Sequence, residues 1–168
     1  MLRHDFRTKI VDLERLLRVR QEAADDRRTV VLCHGCFDIV HPGHVRYLHF
    51  ARRQGDLLIV SLTSDAAIDK GPLRPYIPQE LRAENLAALE CVDYVYVDPH
   101  PTAVPLLSDL KPDIYIKGGE YQTSQDPRFL RERRTVEGYG GRIVFSSGEP
   151  VFSSTYIIQH MPDQQSLE

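Results

Sequence analysis

The sequence predicts an α/β protein with a Rossmann-like, doubly wound, parallel five-stranded sheet carrying helices on both faces. Three observations lead there. Five short runs, TVVLC, DLLIVSLT, DYVYV, DIYIKGG and RIVFS, are continuously apolar at their centres rather than alternating, as strands covered on both faces are. Segments with helical patterning or helix-end signals separate them, the alternation that builds parallel βαβ units. Finally, 168 residues without an internal repeat or low-complexity linker suit one domain with a single sizeable core.

Each element has its own justification. VDLERLLRVRQEAADDR sets Val11, Leu13, Leu16, Leu17 and Val19 near helical spacing, so residues 1–28 read as a helical extension packing on the domain, with the leading helix also a candidate dimer contact. TVVLC is the first strand. HVRYLHFARRQG is a helix closed by Gly55 as its C-cap. DLLIVSLT is a buried strand, and QELRAENLAALECV is a helix with Leu81, Leu86 and Leu89 on its inner side. DYVYV, the short helix TAVPLLSDL and the strand DIYIKGG follow. PRFLRERRTVEGYGG is a helix with Pro127 at its start and Gly138, Gly140 and Gly141 past its end, leading to RIVFS. The domain spans 29–160, and 161–168 form a tail.

Composition narrows the function classes. With 42% hydrophobic and 27% charged residues and a net charge of −3, the chain offers no general attraction to nucleic acid or anionic membrane, so anion binding must be local. No apolar run approaches the roughly 20 residues that span a bilayer, and MLRHDFRTKI lacks the apolar centre of a signal peptide. Three cysteines, an odd and low count, argue against a disulfide framework and fit a reducing compartment. A cytoplasmic location is expected.

The stretch CHGCFDIVHPGH, residues 33–44, admits two chemistries. Cys33, Cys36, His41 and His44 could be four zinc ligands. Yet Cys33 ends an apolar strand, and only four residues separate Cys36 from His41. Both cysteines are better read as packing thiols, and no protein-held metal is expected. The phosphate reading accounts for more. A strand ends, Gly35 lets the chain turn near a ligand, and a helix begins around Gly43, with its free N–H groups and positive dipole end. A separation of three places the His41 and His44 imidazoles on one side of the first turn.

GCFDIVHPGH resembles the G-x-F-D-x-x-H-x-G-H signature of the cytidylyltransferase-like nucleotidyltransferases. The resemblance continues in KGPLRPYIPQELR, where Lys70, Gly71, Arg74, Pro75, Pro78, Glu80 and Arg82 match K-G-x-x-R-P-x-x-P-x-E-x-R. It continues again in KPDIYIKGGEY and FSSTYII, so it covers about residues 9 to 158. Within the superfamily the chain is most similar to the adenylyltransferase domain of ADP-heptose synthases. The resemblance implies an enzyme that transfers AMP from ATP, with Mg2+, to a sugar 1-phosphate, best matched by D-glycero-β-D-manno-heptose 1-phosphate. A sugar kinase, fused to this domain in many bacteria and not found in these 168 residues, would act upstream. It also implies roles. His41, His44, Lys70 and Arg82 are the expected catalytic residues. Gly35, Cys36, Phe37, Gly43, His44, Lys117, Gly118, Gly119, Glu120, Ser154 and Thr155 are expected at the nucleotide, and Asp38, Asp65 and Arg74 at the acceptor. Homodimers are common among such proteins.

His34, Tyr156 and Ser154 depart from the pattern of the heptose branch, which leaves the sugar open. Two alternatives stand: a CTP-dependent enzyme acting on glycerol 3-phosphate or another polyol phosphate, and a non-catalytic nucleotide- or zinc-binding module.

Overall fold

The computed structural model describes residues 5–69, 71 and 74–147. Ten regular elements alternate along them: α1 (Leu13–Asp25), β1 (Val30–Gly35), α2 (Pro42–Arg52), β2 (Leu57–Thr63), α3 (Gln79–Ala87), β3 (Tyr94–Asp98), α4 (Val104–Leu110), β4 (Ile114–Gly118), α5 (Pro127–Gly138) and β5 (Arg142–Ser146). The five strands form one parallel sheet in the order β3-β2-β1-β4-β5. Strand order therefore reverses between β1 and β4, where a doubly wound sheet opens a crevice at its carboxyl edge.

Alternation along the central strand divides the core between the two faces. Val31 and Cys33 of β1 pack with Leu48 and Ala51 of α2 and with Ala83 and Leu86 of α3. Val30 and Leu32 pack with Leu16 and Val19 of α1, Leu106 and Leu107 of α4, and Val136 of α5.

Helix and loop details refine the expectations. In α1 the buried face is Leu16, Val19 and Ala23, while Leu17 points outward and Val11 precedes the helix. That apolar face is covered by the protein's own sheet and α4. In α3, Leu81 is 53% exposed and the inner face is Arg82, Ala83, Leu86 and Ala87. Gly55 is not the left-handed cap of α2, which ends at Arg53 in right-handed geometry. Gly55 is required by crowding instead, because a Cβ there would lie 2.7 Å from Val31 Cγ2 and 2.9 Å from the Thr29 carbonyl oxygen.

The two edges of the sheet are built differently. At the amino edge, aspartates close the strand ends: Thr29 N–H donates to Asp56, Val30 N–H to Asp113 and Leu58 N–H to Asp93, at 2.7–2.8 Å. At the carboxyl edge the strands end in His34-Gly35, Thr63, Asp98 and Lys117-Gly118. Among the described residues, no helix is long and apolar enough to cross a membrane.

Candidate active site

The turn after β1 is shaped by its side chains. Phe37 takes a left-handed backbone (φ 48°), a conformation that costs a non-glycine residue energy and gathers at functional turns. Its ring folds over Gly35, where an added Cβ would come within 3.1 Å of it. Asp38 secures the turn from below.

His41 is the N-cap of α2, with Pro42 in the first turn. Its Nδ1 accepts the Gly43 N–H at 3.1 Å, and burial lowers its pKa. The imidazole is therefore held neutral with its proton on Nε2, a donor. His44 stacks on it with ring centroids 3.9 Å apart, and Phe37 meets His44 edge-on at 5.2 Å. The two imidazoles thus share one side of the first helical turn, as their spacing predicts. Cys33 belongs to the core instead: it is fully buried, and burial pushes its thiol pKa up to about 12. A thiol held protonated makes a poor metal ligand. Cys36 does not pack as expected. It is half-buried and faces the crevice.

Two adjoining compartments open along the carboxyl edge. One, of about 300 Å3, is bounded by the Gly35–Asp38 turn, His44, Tyr47, Arg74, Gly118 and Glu120. The other, of about 230 Å3, lies towards β2 and α5, with Thr63, Thr102, Asp69, Asp126, Arg128 and Glu132 in its wall. His34, Gly35, Cys36, Lys117 and Tyr121 line both. These shared residues sit at the ends of β1 and β4, where the strand order reverses.

Several side chains expected at ligands make contacts within the scaffold. Arg82 does not face the crevice. It is fully buried, donating to the carbonyl oxygens of Ile77, Cys36 and Thr63 and to Asp65 Oδ1. Its guanidinium ties the turn after β1 to the end of β2 and to α3, contacts that leave it no exposed surface for the phosphate expected of it. Asp38 is likewise occupied: it accepts the Tyr76 and Ile77 N–H groups at 2.9 and 3.0 Å and pairs with Arg74 Nε at 2.7 Å. Asp65 accepts the Gln79 N–H, and its own N–H donates to Gln79 Oε1, a reciprocal cap on α3. Asp38 is buried with both oxygens engaged, whereas Asp65 accepts one of these bonds at each oxygen and keeps its side chain 39% exposed. Arg74 does line the larger compartment, its guanidinium over the Tyr76 ring.

Lys117 ends β4 between the compartments, its ammonium 4.2 Å from the Tyr121 ring centroid and 3.3 Å from Glu132 Oε2. Gly119 allows close backbone approach, because a Cβ there would lie 2.7 Å from the Ser146 carbonyl oxygen of β5. Over Gly118 the Glu120 carboxylate folds back into the space a Cβ would take. Lys70, Ser154 and Thr155 lie outside the described residues.

The smaller compartment was not read from the sequence. Strand ends pointed at it, since His34-Gly35 and Thr63 close β1 and β2. Glu132 also left a signal: it shares the buried stripe Phe129, Glu132, Val136 of an otherwise arginine-rich helix. His34 is gripped by β2, with Nδ1 2.7 Å from Ser61 Oγ and Nε2 3.4 Å from Thr63 Oγ1. Desolvation lowers its pKa to about 4, outweighing the opposing pull of Asp98.

Comparison with known proteins agrees with this geometry. The cytidylyltransferase-like family model matches residues 32–160. The bifunctional protein HldE of Syntrophotalea carbinolica is 46% identical over 139 residues, covering 82% of this chain and 28% of that protein. HldE of Trichlorobacter lovleyi is 40% identical over 166 residues, 98% of this chain and 33% of that protein. The chain thus spans about a third of the length of the curated relatives it matches. A lipopolysaccharide core biosynthesis protein from Thermoplasma volcanium superposes with a TM-score of 0.61 at 28% identity, covering 73% of this chain and 98% of that one. A pantoate-beta-alanine ligase from Francisella tularensis shares the fold alone, with a TM-score of 0.60 at 15% identity, covering 84% of this chain and 68% of its own. The β1–α2 turn with its paired imidazoles, set in a five-stranded parallel sheet, makes the chain a nucleotidyltransferase belonging to the cytidylyltransferase-like family.

Proposed function

We propose that the protein transfers AMP from ATP to a sugar 1-phosphate, with D-glycero-β-D-manno-heptose 1-phosphate as the acceptor, yielding the ADP-sugar and pyrophosphate. The observation that carries this reading is the pair of compartments sharing one wall at Lys117. The larger, beside the N-terminus of α2 and the imidazole pair, suits the nucleotide's phosphates. The smaller mixes hydroxyls, carboxylates and the cations Arg128 and Lys117, a lining that suits a polyhydroxylated phosphate monoester. The identity to HldE proteins favours a heptose over a polyol.

In this reading an oxygen of the acceptor's phosphate attacks the α-phosphorus of ATP. The new P–O bond forms as the bond from the α-phosphorus to the β-phosphate's bridging oxygen breaks, and pyrophosphate leaves with that electron pair. A phosphate monoester has its second pKa at about 6, so the attacking dianion needs no general base. The imidazole donors stabilise charge developing on the α-phosphate, and the compartments align the reactants. Magnesium would enter on the ATP phosphates, which need few protein ligands. Among the described residues no three histidine, cysteine or carboxylate groups converge to hold it. It would neutralise phosphate charge there. The acceptor itself would come from a sugar kinase.

A pyrophosphate-release screen of each common NTP against sugar and polyol phosphates tests the reading. ATP with the heptose 1-phosphate is expected to stand out. Turnover confined to CTP with a polyol phosphate overturns it in favour of a cytidylyltransferase, and no release with any pair favours a binding module.

A further inference from the structure

We propose that Glu132 is a positioning residue for group transfer: it fixes the Lys117 ammonium at the boundary of the two compartments, where that cation bridges the acceptor's phosphate and the nucleotide's α-phosphate. The inference rests on the two-compartment reading above.

Glu132 is 5% exposed, on the inward stripe of α5. A carboxylate so placed is costly unless it is paired and hydrogen-bonded. Its partners divide into two sets. The Tyr115 hydroxyl donates to Oε2 at 3.0 Å, and the Ala103 N–H donates to Oε1 at 3.3 Å. These neutral donors orient the carboxylate whatever the lysine does, so the socket is preset. Lys117 then meets Oε2 at 3.3 Å, its one hydrogen bond among the described residues.

Aromatic faces surround the rest of the ammonium, with the centroids of Tyr121, Tyr115 and Phe129 at 4.2, 5.5 and 5.8 Å. This cage confines the charge without using up its N–H donors, and Lys117, 8% exposed, lines both compartments. Through Ala103 the same carboxylate also anchors the turn carrying Pro101 and Thr102, which line the smaller compartment. One buried acid thus sets both the bridging cation and a wall of the acceptor site. A purely structural ion pair would not need its lysine on that shared wall.

Glu132→Gln keeps the shape and can still accept the Ala103 N–H, but it removes the charge that holds Lys117. Steady-state kinetics on the full chain, with each substrate varied in turn, should show acceptor kcat/KM reduced about tenfold to a hundredfold. The apparent affinity for ATP should stay within about threefold, and the melting temperature should fall, because the buried Lys117 ammonium loses its counter-charge, while the protein stays folded at the assay temperature. In a Lys117→Ala background the same change should cost nothing more, because a residue acting through another is non-additive with it. Wild-type acceptor kinetics in Glu132→Gln, or an undiminished further loss in the Lys117→Ala background, overturns the proposal. Should Glu132→Gln fail to fold, Tyr115→Phe decides. It removes one orienting donor and should lower acceptor kcat/KM about threefold or more, and an unchanged value overturns the proposal. The assay uses whichever NTP and phosphate the wild type turns over. A wrong substrate assignment therefore appears in the wild type, and a wrong role for Glu132 appears only in the variants. A wild type that turns over no pair overturns both.

Discussion

Asp38 Oδ2 lies 2.7 Å from Arg74 Nε, and the same carboxylate receives the N–H groups of Tyr76 and Ile77. The aspartate of the first motif is therefore the anchor of the loop carrying the second. Arg74 reaches the crevice because Asp38 holds it there.

Opposite signatures should follow for the two partners. Asp38→Ala strands a partly buried guanidinium and two backbone donors, and should destabilise the protein by about 2–4 kcal/mol in urea unfolding. Arg74→Ala leaves Asp38 its backbone partners, so it should cost less stability and show mainly as a lower kcat/KM. Wild-type stability in Asp38→Ala, with only the acceptor KM raised, would restore the direct ligand role.

Arg82 should behave as a keystone. Lysine cannot reproduce a fork that serves three carbonyls and Asp65 at once. Arg82→Lys should lower stability by about 3 kcal/mol or more, with activity lost in step with the folded fraction. A stably folded Arg82→Lys that has lost only kcat would return this residue to the phosphates.

The contrast between Arg82 and His44 explains what the sequence made legible. The fold was readable because apolar runs and helix signals recur in a fixed order, and strand ends locate the ligand edge of such a sheet. The imidazole pair was readable because its spacing and its helix start are both local. The environment of Arg82 was not legible because a cation beside a ligand loop looks the same in sequence whether it faces solvent, substrate or backbone carbonyls. Only the long-range packing of α3 under the turn after β1 decides that. The scaffold contacts of Asp38 and Asp65 were hidden for the same reason, since their partners at residues 74–82 become neighbours only in the folded chain. Glu132 was passed over because an acid among arginines reads as a solvated charge until its helical stripe is counted.

The two histidines should separate in stability although both lower the rate. His44→Ala removes an imidazole facing the larger compartment and should cost about 10²–10³ in kcat with the fold retained. His41→Ala removes both a donor and the cap of α2, so it should add about 1 kcal/mol of destabilisation. Circular dichroism melting beside turnover checks both. Near-wild-type turnover in His44→Ala would remove the imidazole from the mechanism.

His34 gives a pH signature with a defined sign. Burial lowers its pKa from 6.5 to about 4, against the opposing influence of Asp98. Between these values the unfolded chain binds a proton that the folded chain refuses, so stability rises with pH across that window. The contribution is fully present above pH 6.5, declines as pH falls, and is exhausted below about 4. The lowered pKa of His41 acts in the same direction. His34→Asn keeps a polar partner for Ser61 without the titration. Urea unfolding of the wild type should lose on the order of 2–3 kcal/mol from this residue across the window, and the variant should show a correspondingly flatter dependence. A wild type and variant with the same slope would mean that His34 titrates freely in the fold. That outcome would remove burial as a control on this ring, which lies 2.7 Å from Ser61 Oγ and lines both compartments.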